Sequence, residues 1–202
     1  MNLPDIESAA AAVNLSIFGV TDGSLVLLGP REPGFWKAFT ASPEWNDEQD
    51  NPMDRWSSRV IAGLAKDLNA TARFPFEDPL PPFLTWAMNA NSAWQSPVGM
   101  LVQAKAGLMV SYRGALQFKD TIETPAVQNP CTPCVKPCIT ACPVGALTPD
   151  GYDVPACHAY MRTPKGADCN NGCLVRRACP VSQSYGRDPK QSAYHMRRFL
   201  KE

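Results

Sequence analysis

All eight cysteines of this 202-residue chain fall between Cys131 and Cys179, and none occurs in residues 1–130. Such crowding excludes a disulfide network spread over the whole chain, and it excludes cysteine used as a generic small core residue. The first question is therefore what the last third of the chain holds. The redox compartment decides among the remaining uses. The amino terminus places Asp5 and Glu7 where a secretory leader would carry Lys or Arg before an apolar run. The longest apolar stretches, Ser24 to Leu28 and Val98 to Val102, are strand-sized and far short of the ~20 residues of a membrane span. The expectation is a cytoplasmic chain with no membrane segment, in which clustered thiols bind metal or carry out redox chemistry.

The thiols form two groups of four, each closed by Cys-Pro: Cys131, Cys134, Cys138 and Cys142-Pro143, then Cys157, Cys169, Cys173 and Cys179-Pro180. A tight loop can wrap three corners of a cubane, while the fourth corner faces away and must be reached from elsewhere in the chain. Proline after the last cysteine suits a chain that turns there, with φ already fixed and no amide to satisfy. The run resembles that of bacterial ferredoxins, in which the cysteine before proline ligates the other cluster; here the third interval is one residue longer. Eight thiolates in two sets of four point to two [4Fe-4S] clusters. Zinc is the alternative, because short Cys-x2-Cys loops also serve tetrahedral sites. Disulfides and inert buried thiols complete the alternatives.

Upstream of the cysteines the pattern is mixed. Ile6, Ala9, Ala10 and Val13 behind Pro4 and Asp5 predict a helix over 4–14. Residues 16–20 and 24–28, separated by Thr21-Asp22-Gly23, predict a hairpin. A helix is expected over 34–41, then a charged loop over 42–52. An amphipathic helix follows from Asp54, carrying Trp56, Val60, Ile61, Leu64 and Leu68 on one face. Residues 71–74 suit a strand, the proline-rich 76–82 a loop, 83–94 a helix, and 99–103 and 108–118 two strands about a turn at 105–107. The fold class read from this is α+β: a small antiparallel sheet with covering helices over residues 1–125, followed by a cysteine-rich domain over 126–202. Charge divides at the same place. Residues 1–130 carry 9 basic and 14 acidic side chains, and residues 131–202 carry 10 and 5. A basic surplus of that size would offset the negative charge of thiolate-bound clusters, with Lys136, Arg162, Lys165, Arg176 and Arg177 nearest in sequence.

Residues 131–180 resemble the ferredoxin-type module of epoxyqueuosine reductases, through Cys142-Pro-Val-Gly-Ala146, Cys157-His-Ala-Tyr160 and Cys179-Pro180. Residues 98–116, ending in Arg113-Gly114, resemble the strand, turn and strand of the cobalamin-processing cblC-type proteins, although the His-Pro of that family is Gln103-Ala104 here. Together these resemblances imply a nitroreductase-like first domain that holds a cobalamin and a bacterial-ferredoxin-type second domain. They also imply that Cys131, Cys134, Cys138 and Cys179 hold one cluster and Cys142, Cys157, Cys169 and Cys173 the other. Arg113, Gly114 and Tyr112 are the implied cofactor-pocket residues.

The expected function is an iron-sulfur redox protein, possessing two [4Fe-4S] clusters that pass electrons to a bound cofactor or substrate such as a corrinoid. Its alternative is a non-catalytic ferredoxin-like carrier that docks a partner enzyme. The expected partners are an electron donor or acceptor protein and a corrinoid, with no nucleic acid and no membrane; nitroreductase-like domains often pair, so a homodimer is compatible with the reading. A transfer-RNA role is not expected, because the helical-repeat extension of the reductases has no counterpart before Glu202 and their catalytic Asp loop has only Glu77-Asp78-Pro79 nearby. His158, His195, Tyr160 and the five tryptophans have a bland reading as surface, core or loop residues. No catalytic residue is assigned.

Overall fold

The computed structural model describes residues 2–201. In chain order the elements are α1 (Leu3–Ala12), β1 (Leu15–Thr21), β2 (Leu25–Pro30), α2 (Phe35–Thr40), α3 (Pro43–Asn46), α4 (Pro52–Asp67), β3 (Thr71–Arg73), α5 (Phe83–Asn89), β4 (Ala93–Gln95), β5 (Leu101–Gln103) and β6 (Gly114–Gln117). A 3-10 turn (Pro137–Thr140), β7 (Leu147–Thr148), β8 (Gly151–Tyr152), α6 (Val154–Met161), a second 3-10 turn (Pro164–Gly166), α7 (Ala167–Asn170), α8 (Leu174–Ala178), α9 (Pro180–Tyr185) and α10 (Pro189–Lys201) follow. Helices and antiparallel sheets make the chain α+β. No helix among the described residues is long and apolar enough to cross a membrane.

The chain forms two compact units that are not consecutive in sequence. The first comprises residues 1–93 and 111–127, the second residues 94–110 and 128–202. The division near residue 128 follows the composition change, but residues 94–110, expected within the first domain, pack in the second.

In the first unit a four-stranded antiparallel sheet runs in the order β1, β2, β6, β3. Every residue of β2 is buried, so this strand has cover on both faces and reads as a continuous apolar run. α4 follows Asn51 with Pro52 at its first position, Asp54 in its first turn and Lys66 in its last, each suited to the helix dipole. It buries Met53, Trp56, Ile61, Leu64 and Ala65, while Val60 and Leu68 are half-buried. At Gly114 a β-carbon would stand 2.7 Å from the Ile61 side chain, so the glycine lets α4 lie close on β6. Trp36, Phe39, Trp45 and Trp56 form an aromatic group with Phe35, with centroids 5.1–6.2 Å apart.

Three expectations are corrected here. The loop over 42–52 contains α3, capped by Ser42, whose hydroxyl accepts from the Trp45 amide at 3.4 Å. The helix expected to reach residue 94 ends at Asn89, and Asn91 turns left-handed, leaving Trp94 on β4. The strand expected over 108–118 is confined to Gly114–Gln117.

Candidate metal centre

Local chain signals place each thiol of the second unit. Asn129 accepts from the Cys131 amide at 2.9 Å, closing the turn that starts the first loop. Lys136 takes a left-handed backbone (φ 57°), which directs its amide to Cys134 Sγ at 3.2 Å. Cys138 lies in the 3-10 turn at Pro137–Thr140. Cys142 Sγ accepts from the Ala146 amide at 3.2 Å, across a turn in which Gly145 is left-handed. Cys157 is carried by α6 and Cys169 by α7. Cys173 caps the start of α8, and Cys179 both ends α8 and caps α9, whose first residue is Pro180. That is the physical reason for the second Cys-Pro: proline has no amide to lose at a first helical position.

The eight sulfurs divide between two cavities. Cys131, Cys134, Cys138 and Cys179 line one of about 340 Å³, together with Pro133, Val135, Val181 and Leu108. Cys142, Cys157, Cys169 and Cys173 line the other, together with Tyr152, Tyr160, Met161, Leu174 and Met196. This is the division that the family resemblance implies. α8 has Cys173 at one end and Cys179 at the other, so it runs from the second ring of thiols to the first. It packs against the 3-10 turn carrying Cys138.

The two rings differ in surroundings. The first opens outward, with Val135 91 % exposed on its rim, and a polar depression beside it is lined by Gln95, Asn129, Thr132 and Lys136. The second is narrow, about 20 Å³, which is room for about one water. Burial pushes the Cys131 and Cys138 thiols up, reinforced by repulsion from Cys179 and Cys134. Burial does the same to Cys157 and Cys169, reinforced by Cys173 and Cys142. Among the described residues, no three His, Cys, Asp or Glu side chains form a group that could hold a metal ion.

Residues 94–110 belong to this unit for identifiable reasons. β4 and β5 pair through a turn closed by the Ser96 amide on the Met100 carbonyl at 2.8 Å. Gln103, buried to 1 % exposure, accepts the amides of Lys105 and Ala106 at 2.7 and 2.9 Å and so braces the next turn. At Gly107 (φ 57°) a β-carbon would meet the Ser182 amide at 2.6 Å and Cys179 Sγ at 3.0 Å. Arg176 donates to the Leu108 carbonyl and Arg187 to that of Met109. Sequence reasoning missed these contacts with the thiol-bearing segment, and the left-handed Gly107 was their only local signal.

The cofactor-pocket candidates lie in the first unit and have structural partners there. The Tyr112 ring packs edge-on against Phe18 at 5.9 Å, and burial raises its phenol well above the ordinary range; among the described residues its hydroxyl has no hydrogen-bond partner. Arg113 donates to the Tyr112 carbonyl at 2.9 Å and to Asp54 at 3.5 Å. Gly114 pairs with Leu28 in the sheet. Glu77 bridges to Arg73 at 2.9 Å and accepts from the Phe74 amide, so it closes the proline-rich loop. In the second unit His158 packs edge-on against Phe199 at 4.5 Å, and His195 packs against Tyr194 at 5.7 Å. Comparisons with family profiles, with curated proteins and with solved structures find no match.

Proposed function

We propose that the second unit holds two [4Fe-4S] clusters and that the protein is an electron-transfer protein. One observation carries the reading: eight thiols separate into two rings of four around two cavities. The donor set fits the group. Four cysteines per ring match the ligand count of a cubane, backbone amides already point at Cys134 and Cys142, and the apolar lining excludes competing water. When bound, such clusters supply one-electron chemistry. The chain's own residues fix the thiols, limit access and neutralise charge. Zinc, which four thiolates also hold, is the alternative that metal analysis separates.

The acceptor is part of the same proposal. A corrinoid held by a nitroreductase-like first unit rests on the resemblance of residues 98–116. Against it, Arg113 and Gly114 are engaged in the packing of the first unit, which favours the second reading, a carrier that hands electrons to a partner protein.

Anaerobic purification with iron and acid-labile sulfide analysis tests the first claim. About eight irons per chain are expected for two clusters, whereas zinc without sulfide rejects it. Reducing the protein with dithionite, removing the excess reductant and then adding hydroxocobalamin, against a protein-free control, tests the second. A shift of the cobalamin spectrum supports the corrinoid acceptor, and an unchanged spectrum with iron-replete protein supports the carrier.

A further inference from the structure

The two rings of thiols are not equivalent, and the difference lies in what touches the second one. The Tyr152 hydroxyl donates to Cys157 Sγ at 3.2 Å. Its ring is held by Phe199 of α10, stacked at 5.7 Å with an interplanar angle of 16°, and Phe199 is held in turn by His158 at 4.5 Å. The tyrosine therefore points one way and has little freedom to turn. Arg176 sits midway along α8, three residues after Cys173 of the second ring and three before Cys179 of the first. Its one hydrogen-bond partner is the Leu108 carbonyl, and no carboxylate among the described residues meets it. Arg176 is half-buried, and a guanidinium in that position without a carboxylate is costly unless negative charge develops beside it. Cys173 and Tyr152 are the groups whose charge it senses.

We propose that Tyr152 and Arg176 hold up the reduction potential of the cluster ligated by Cys142, Cys157, Cys169 and Cys173. The inference rests on the iron-sulfur reading above. Reduction adds one electron and one negative charge to a group enclosed by apolar side chains. Enclosure alone disfavours that charge, whereas a hydrogen bond to a ligand sulfur and a fixed cation favour it. The first ring lines the larger of the two cavities. The second has the tyrosine and the arginine. The electron comes from a low-potential one-electron donor, which is oxidised by one equivalent.

The test is a dithionite titration of the anaerobically purified protein, followed by electron paramagnetic resonance, for the wild type, Tyr152→Phe, Arg176→Met and Arg176→Lys. The wild type should show two one-electron steps. Arg176→Met should lower one step by about tenfold in the reduced-to-oxidised ratio, roughly 59 mV for one electron. Tyr152→Phe should lower the same step by a smaller amount, Arg176→Lys should restore most of the loss, and the other step should stay in place. Tyr152→Phe removes one hydroxyl from a half-exposed ring, so it decides the matter if Arg176→Met loses iron. Eight irons with neither step moved by Tyr152→Phe overturns the inference and leaves the cluster reading intact. Movement of different steps by the two variants also overturns it. Zinc without sulfide in the wild type removes both.

Discussion

Gly107 shows how closely backbone approaches the Cys179 thiol in this protein. Two separate demands fall on it: a left-handed φ of 57° and a gap into which a β-carbon would bring the Ser182 amide to 2.6 Å and Cys179 Sγ to 3.0 Å. Gly145 has a similar φ of 61° and nothing within 4 Å. The pair separates strain from crowding. Gly145→Ala should cost about 1–2 kcal/mol, the left-handed penalty alone. Gly107→Ala should cost more than that and should also lower iron content, because Cys179 or the segment after it must shift. Denaturant midpoints and iron per chain, measured on both variants, check this. Equal losses in both would mean that the approach to Cys179 is slack. The Cys-Pro pairs carry a related lesson, since Pro180 starts α9 and so fixes the direction in which Cys179 leaves α8.

At the level of elements, α3 is fastened to α4 by an ion pair. Arg59 Nη2 lies 2.9 Å from Glu44, and a second contact from Arg59 Nε makes the pair bidentate. Hydrogen bonding from Arg59 holds the Glu44 carboxyl down at about 2, against an ordinary value of 4.5. A carboxyl with a depressed folded-state pKa stabilises above its unfolded value, and that contribution disappears as pH falls from about 4.5 to about 2. Arg59 is half-exposed, and solvent screening reduces the effect to about 1–2 kcal/mol. Glu44→Gln should therefore destabilise the first unit at pH 7 and flatten its stability between pH 5 and 2, as read by thermal melts across that range. An unchanged acid profile would assign the sensitivity to other carboxylates. The same pair explains part of what the sequence could show. Ser42-Pro43-Glu44 carries a helix-start signal, but four residues make a poor helix alone, and its partner is 15 residues away on α4. Legible were the elements with a strong period of their own, α1, α4 and the β1–β2 hairpin. The strand expected over 108–118 was not, because Arg176 and Arg187 draw the carbonyls of Leu108 and Met109 into hydrogen bonds of the second unit. Local spacing groups the thiols as two fours, whereas the cavities exchange Cys142 and Cys179 between those groups, as the family resemblance implies. The tyrosine on Cys157 was not legible, since nothing in Gly151-Tyr152-Asp153 announces its target.

Across the whole molecule the two units differ in what their cores are made of. The first has sheet-backed clusters of Leu, Ile, Phe and Trp side chains. In the second, buried Cys138 and Cys179 pack with Val98, Val102, Leu108, Leu147 and Val175, and buried Cys169 packs with Met161 and Met196. Apart from α10 its regular elements are short, so on the proposed reading a group bridging four thiols would stabilise the fold as well as serve chemistry. Removing iron with a chelator under anaerobic conditions should accelerate amide exchange throughout residues 94–110 and 128–202 and leave β1, β2 and α4 protected. Uniform loss of protection, or none, would contradict this. The interleaving of the units also bears on ancestry. Because the chain passes from one unit to the other at residues 93, 110 and 127, no single crossover between genes could transplant the whole thiol-bearing part without also carrying part of the first unit. A recombinant joined at residue 128 would inherit every cysteine and still lack the Gln103–Gly107 turn against which Cys179 is seated.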